Sequence, residues 1–238
     1  MVLRALLLGM GLSAGLAACG RAGDGGTPES SPPSPAVATA SPVVDGKQGE
    51  LAPTETRNVL VMGDSLSAAY NMAAEQGWVA LADARMRVEA PGFRMVNASI
   101  SGETSAGGAS RIDAALAEHR PAVVVIELGA NDGLRGLPLE ETRANLERMV
   151  RASKAAGARV LLVGMQLPPN YGPEYTAAFS AMFGEIAEAE GIDLLPFLLE
   201  PIALDDDAFQ ADRLHPTAES QPALANHVWN SLGGLLIE

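Results

Sequence analysis

From Arg57 onward the chain alternates short apolar runs, rich in Val, Ile and Leu, with longer amphipathic stretches. Few architectures accommodate that alternation. Residues 58–62, 94–98, 122–128, 159–164 and 193–195 read as strands, and residues 78–88, 105–119, 139–156, 174–190 and 217–236 read as helices. The punctuation agrees. Pro138 precedes the third helix and Gly157 follows it, Gly191 follows the fourth, and Pro216 stands at the start of the last. The runs ahead of Ser65 and Asn131 are apolar without a polar alternate, which marks strands buried on both faces of a parallel sheet. The expected fold is therefore α/β: a five-stranded parallel sheet with helices on both faces. Residues 57–238 are long enough for one such domain with a sizeable core, and no internal repeat or second globular domain is visible.

In open sheets of this kind, sites form beyond the carboxyl ends of the strands, where strand order reverses. Three successive strand-to-helix loops deliver small and polar residues there: 63–67, 99–104 and 129–132. The first, Gly63-Asp64-Ser65-Leu66-Ser67, sets a serine just after a strand. A serine hydroxyl is a poor nucleophile until a neighbouring base takes its proton. Three histidines are available for that work. His119 ends a helix before Arg120-Pro121 and suits pairing with terminal carbonyls, and His227 lies inside the last helix. His215 sits in Asp212-Arg213-Leu214-His215-Pro216. A carboxylate three residues earlier is spaced to hold one imidazole nitrogen while the other faces Ser65. Ser65, Asp212 and His215 are the candidate catalytic residues.

Oxyanion stabilisation needs neutral donors aimed at developing charge. The side-chain amide of Asn131, in Gly129-Ala130-Asn131-Asp132, is one such donor, and the backbone N–H of Gly102, in Ser101-Gly102-Glu103-Thr104, is another. With the Ser65 N–H they make three. Each residue also has an ordinary reading: Ser65 as a helix cap, Asn131 as a turn residue, Gly102 as a position of positive φ. The frame Gly-Asp-Ser-Leu-Ser is not the Gly-x-Ser-x-Gly nucleophile elbow.

A formal net charge of −13 offers no basic footprint for phosphate neutralisation, which argues against nucleic acid as a partner. No metal-ligand cluster or cofactor motif stands out, so neither group is expected. Cys19 is the one cysteine, so no internal disulfide forms. It follows a basic start at Met1-Val2-Leu3-Arg4, an apolar stretch over 5–12, and Leu16-Ala17-Ala18. That segment is too short to span a bilayer and has the layout of a secretory signal. Leu-Ala-Ala-Cys resembles the bacterial lipobox, which implies acylation at Cys19 and removal of residues 1–18; an ordinary signal peptide with an incidental cysteine is the alternative. Residues 19–56 are rich in Gly, Ser and Pro and too poor in large apolar side chains to repay ordering entropy. They read as a tether that holds residues 57–238 off a membrane surface. Gly20, rather than Asp, after the cysteine favours the outer membrane. The expected location is the cell envelope, facing the periplasm.

Taken together, these blocks resemble the SGNH, or GDSL, hydrolases, whose named residues are Ser, Gly, Asn and His. The resemblance runs from about Arg57 to Leu236. It extends to Gly-Asp-Ser-Leu-Ser-Ala-Ala-Tyr, Asn-Ala-Ser-Ile-Ser-Gly-Glu-Thr, Glu-Leu-Gly-Ala-Asn-Asp-Gly-Leu-Arg-Gly and Leu-Pro-Pro-Asn-Tyr-Gly, which are similar to the bacterial arylesterase, lysophospholipase and acyl-thioesterase branch. Ala130 departs from it, standing where many relatives carry a second Gly. The resemblance implies a flavodoxin-like three-layer α/β/α sandwich, a Ser65 nucleophile, His215 as base, Asp212 behind it, and an oxyanion hole from Ser65, Gly102 and Asn131. It implies hydrolysis of carboxylic esters, and of acyl thioesters, with no cofactor. The loop 133–138 follows Asn131, and its two glycines bracket apolar residues. Relatives close the corresponding loop over an acyl chain, so Gly133, Leu134 and Leu137, with Pro168 after the fourth strand, are expected to bind substrate. A small ester or lysophospholipid substrate, a membrane reached through Cys19, and a monomeric state are the expected partners and assembly. Two rival readings are a carbohydrate O-deacetylase of the same fold and a catalytically silent, lipid-binding envelope lipoprotein.

Overall fold

The computed structural model describes residues 56–236. The signal segment, Cys19 and all but the last residue of the expected tether lie outside the described residues. Five strands form one parallel sheet: β1 Arg57–Gly63, β2 Phe93–Asn97, β3 Val123–Glu127, β4 Arg159–Val163 and β5 Asp193–Leu195. Their order is β2-β1-β3-β4-β5. The chain moves one way from β1 to β2 and the other way from β3 onward, so strand order reverses between β1 and β3. Every residue of β3 is buried, as is β1 from Val59 on, because helices cover both faces there. Val and Ile suit that position, since branching at Cβ packs well on a pleated surface.

Among the described residues six α-helices complete the layers: α1 Trp78–Glu89, α2 Ser105–His119, α3 Ala130–Leu134, α4 Leu139–Ala155, α5 Pro173–Glu190 and α6 Gln221–Leu232. On one side α1 packs against α6; α2 packs against α4, and α4 against α5. The core holds Trp78, Leu60, Met62, Ile126 and Leu161, with Phe179 and Phe183 edge to face at 5.3 Å. Among the described residues no helix is long and apolar enough to cross a membrane.

The α/β expectation holds, with two local corrections. The last helix is shorter than residues 217–236. Pro222 sits in its first turn, where a missing N–H costs nothing, and single 3₁₀ turns at Ala218–Ser220 and Gly233–Leu235 flank it. Pro216 lies before the helix and pairs instead with Phe209 in an isolated antiparallel bridge. The second correction is α3. Residues 130–134, expected as part of a loop, form a helical turn entered through Gly129 at φ 115°.

Candidate active site

The ends of β1 and β3 are in register, Gly63 opposite Glu127, so the two following loops emerge side by side. Gly63 is required there: a Cβ would lie 2.7 Å from the Ser67 side chain and 2.9 Å from the Glu127 carboxylate. Asp64 then turns the chain. Its Oδ1 accepts the Leu66 N–H at 3.0 Å, and its carbonyl accepts the Ala68 N–H at 2.9 Å. That tight turn leaves Ser65 half-buried at the rim.

His215 reaches Ser65 from a chain segment 150 residues away, its Nε2 lying 2.8 Å from Ser65 Oγ. Its Nδ1 lies 2.7 Å from Asp212 Oδ2. A carboxylate only accepts, so Nδ1 carries the proton and Nε2 is free to accept from the serine hydroxyl. Asp212 Oδ1 also accepts the backbone N–H groups of Leu214 and His215, each at 3.0 Å. Partial desolvation pushes the Asp212 carboxyl up, but those two N–H groups and the imidazole outweigh it and bring the group down to about 2. Asp212 is thus ionised wherever the imidazole needs a partner.

The turn carrying this pair is built like a small hairpin. Gln210 N–H donates to the His215 carbonyl at 2.7 Å, and Arg213 N–H donates to the Gln210 carbonyl at 2.8 Å. Arg213 takes φ +57° to close it. The Gln210 side chain joins this hairpin to the serine loop: Nε2 donates to the carbonyls of Tyr70 (3.1 Å) and Pro216 (3.0 Å), and Oε1 accepts from Asn71 (3.1 Å). Tyr70 stacks on His215 with ring centroids 4.3 Å apart.

On the other side stand the two donor loops. Gly102 adopts φ +79°, and its carbonyl accepts from Arg135 Nη2 at 3.0 Å, which ties the loop to the end of α3. Glu103 beside it is paired with Arg111. Asn131 lies in the first turn of α3, and its amide donates to Asp64 Oδ2 at 2.9 Å. Its second amide hydrogen remains for the cleft. Beneath lies a buried acidic layer. Glu127 Oε2 accepts from Ser67 Oγ (2.7 Å) and from the Asp64 N–H (3.3 Å). Burial, then the charge of Asp64, pushes the Glu127 carboxyl well above its usual range. Burial likewise lifts Asp64 to about 6 against the downward pull of the Leu66 N–H and the Asn131 amide. Asp132, also buried, accepts from the N–H (2.8 Å) and hydroxyl (2.6 Å) of Ser105 and so anchors α2 to α3.

These residues open into a cleft of about 580 Å³, which Ser65, Gly102, Asn131 and His215 line together. Leu134 and Pro168 also line it. Gly133 and Leu137 do not. A Cβ on Gly133 would meet Phe179 at 2.7 Å and Leu167 at 2.8 Å, so that glycine faces the core, and Leu137 sits in solvent beyond the turn. For Gly133 the reason is α3: a helical turn shows only one face to the cleft, and Gly133 lies on the face packed against Phe179 and Leu167. His119 and His227 stand elsewhere. The His119 carbonyl accepts from Asn58, and His227 Nε2 lies 3.0 Å from the Phe197 carbonyl. Among the described residues no group of His, Cys, Asp and Glu is arranged to hold a metal ion.

Sequence reasoning passed over Asp64, Glu127, Gln210 and Arg135. A Glu ending a run of Val and Ile was a usable signal, since such residues are almost never fully buried without a partner. Gln210 carried none.

Three comparisons bear on this geometry. The model of the GDSL-like Lipase/Acylhydrolase family matches residues 61–221, which contain every cleft residue discussed above. Esterase TesA of Pseudomonas aeruginosa is 51% identical over 180 residues, covering 76% of this chain and 90% of that protein. Thioesterase 1/protease 1/lysophospholipase L1 of Escherichia coli K12 is 40% identical over 178 residues, covering 75% and 84%. Among solved structures, the psychrotrophic esterase EstA from Pseudoalteromonas sp., inhibited by monoethylphosphonate, superposes with a TM-score of 0.73 at 42% identity, over 76% of this chain and 98% of that one.

Proposed function

The chain belongs to the GDSL-like lipase/acylhydrolase family and is a serine hydrolase of carboxylic esters and acyl thioesters; on that premise we propose that it works through an acyl intermediate on Ser65, with lysophospholipids and medium-chain esters as its substrates. The observation that carries the reading is the 2.8 Å approach of His215 Nε2 to Ser65 Oγ with Asp212 behind it. His215 takes the hydroxyl proton as Ser65 Oγ bonds to the substrate carbonyl carbon. Asp212 holds the imidazolium that results. The carbonyl oxygen, now an anion, faces the N–H groups of Ser65 and Gly102 and the free amide hydrogen of Asn131. When the tetrahedral carbon collapses, His215 gives the proton to the departing alcohol or thiol. Water then enters, His215 deprotonates it, and the acid leaves. Leu134, Leu167, Pro168 and Met165 line the cleft and supply an apolar wall for the acyl group.

The test is direct. A fluorophosphonate labels the protein, and Ser65→Ala abolishes both labelling and hydrolysis of p-nitrophenyl hexanoate, a loss on the order of 10³-fold or more. An unlabelled wild type, or labelling that survives Ser65→Ala, overturns the reading. A preference for acetyl over hexanoyl esters points instead to the deacetylase.

Leu16-Ala17-Ala18-Cys19 supports a further part of the proposal: the protein is acylated at Cys19 and held at an envelope membrane facing the periplasm. Lipid attachment in several chains is what makes such anchoring firm. Radiolabelled palmitate is incorporated in bacteria expressing the full chain and is lost in Cys19→Ala. Equal labelling of the two proteins defeats the anchor.

A further inference from the structure

The cleft holds one strong cation whose chemistry the hydrolytic steps do not use. Arg213 lines it, between Asp212 and His215 in the same turn. Its backbone sits at φ +57°, a conformation that suits glycine and that side chains rarely take. The turn needs that angle to bring the Asp212 carboxylate onto the N–H of His215. A residue without Cβ would do it with less strain, yet the chain puts its longest cationic side chain there. Other arginines of this acidic protein are engaged: Arg85, Arg87, Arg111, Arg143, Arg148 and Arg151 with carboxylates. Among the described residues, no hydrogen bond or ion pair is made by the Arg213 guanidinium.

Its side of the cleft has a definite chemical meaning. His215 delivers a proton to the leaving oxygen, so the alcohol half of an ester departs past His215, along the wall formed by Tyr70 and Arg213. The acyl half lies toward Leu134 and Pro168. We propose that Arg213 is a specificity residue that binds a phosphate carried on the alcohol half of the substrate. This rests on the hydrolase reading above and names the feature of the leaving group that the site selects. In an acylglycerol phosphate the phosphorus lies five single bonds from the ester oxygen, about 6 Å when extended. An arginine two residues from His215 spans that gap, and its planar fork matches phosphate oxygens. In a coenzyme A thioester the first phosphorus lies thirteen bonds from the sulfur, about two and a half times as far, beyond what this residue reaches.

The experiment compares two esters that differ only in the phosphate: 1-octanoylglycerol 3-phosphate and 1-octanoylglycerol, with p-nitrophenyl octanoate as a third substrate. The wild type prefers the phosphate ester, and Arg213→Gln lowers the ratio of kcat/KM between the two glycerol esters about fivefold, chiefly through KM, as suits a contact open to solvent. Arg213→Gly removes the cation and the backbone strain together and lowers the ratio equally, which separates charge from folding. Arg213→Lys retains part of the preference. Raising salt toward 1 M, where screening acts within about 3 Å, erodes the ratio in the wild type and not in Arg213→Gln. A wild type inactive on all three esters overturns the hydrolase reading and this one with it. Hydrolysis of p-nitrophenyl octanoate together with a ratio indifferent to Arg213 overturns this one alone.

Discussion

The alignment of Ser65, Asp212 and His215 is braced by a residue with no chemistry of its own. All the polar atoms of Gln210 are used: its main chain closes the His215 hairpin, and its side chain joins that hairpin to the loop that carries Ser65. Truncating it to Ala removes three side-chain hydrogen bonds. The freed Tyr70 carbonyl is exposed and recovers water, whereas Pro216 is buried and its carbonyl loses a partner, so the cost in stability is about 1–3 kcal/mol. Activity is more sensitive, because reacting groups displaced by about 1 Å lose roughly 10²-fold. Gln210→Ala should therefore lower kcat by about tenfold or more, leave KM nearly unchanged, and slow fluorophosphonate labelling of Ser65, with assays run well below the melting temperature. A variant that melts earlier but keeps its kcat would show that Gln210 serves the fold alone. Nothing in the sequence around residue 210 announces this role, because it arises only when two loops 140 residues apart meet. The convergence of Ser65, Asp212 and His215 was legible for the opposite reason. Each sits in a short frame whose geometry is local, Gly63-Asp64 before the serine and a three-residue turn before the histidine.

At the scale of elements, strands announced themselves and short helices did not. The runs in β1 and β3 are apolar enough to be read as doubly covered strands, and the structure buries them so. Helices α2 and α4 carry enough turns for periodicity to accumulate. The five residues of α3 do not complete two turns, and Gly129 and Gly133 both suggested a loop. What makes them helical is tertiary. Gly129 supplies the left-handed entry, Asp132 is pinned by Ser105, and Arg135 caps the turn while holding Gly102. That misreading is why Gly133 and Leu137 were expected in the cleft. A flexible loop presents every residue to a ligand; a helical turn packed on Phe179 and Leu167 presents one side, and only Leu134 of the three reaches it. The same packing means that the donor amide of Asn131 is set by a rigid element, with Asp64 fixing which amide hydrogen points outward.

For the whole molecule, the acidic layer under the cleft is a standing cost that titration exposes. Asp64 and Glu127 are both buried, share a network through the Asp64 N–H and Ser67, and both ionise at higher pH than free carboxyls do. A carboxyl whose folded-state pKa is raised binds its proton more tightly in the native state than in the unfolded chain. Stability then falls as pH rises from the unfolded value, near 4, through the folded one. For Asp64, displaced to about 6, that amounts to about 3 kcal/mol lost by neutral pH, and Glu127 extends the decline to higher pH. The net charge of −13 adds self-repulsion of the same sign. Asp212 works oppositely, but only below about pH 4, since its pKa is lowered to about 2. The protein should therefore be most stable in mild acid, with a melting temperature roughly 5 °C or more lower at pH 8 than at pH 5. Glu127→Gln keeps an oxygen for Ser67 and the Asp64 N–H while removing one titrating group. It should flatten the decline and melt no lower than the wild type at pH 8. Calorimetric scans of both proteins at pH 5, 6.5 and 8 check this. A wild type equally stable across that window, or a variant with the same slope, would mean that the two carboxyls beneath Asn131 are not the source of strain that their burial implies.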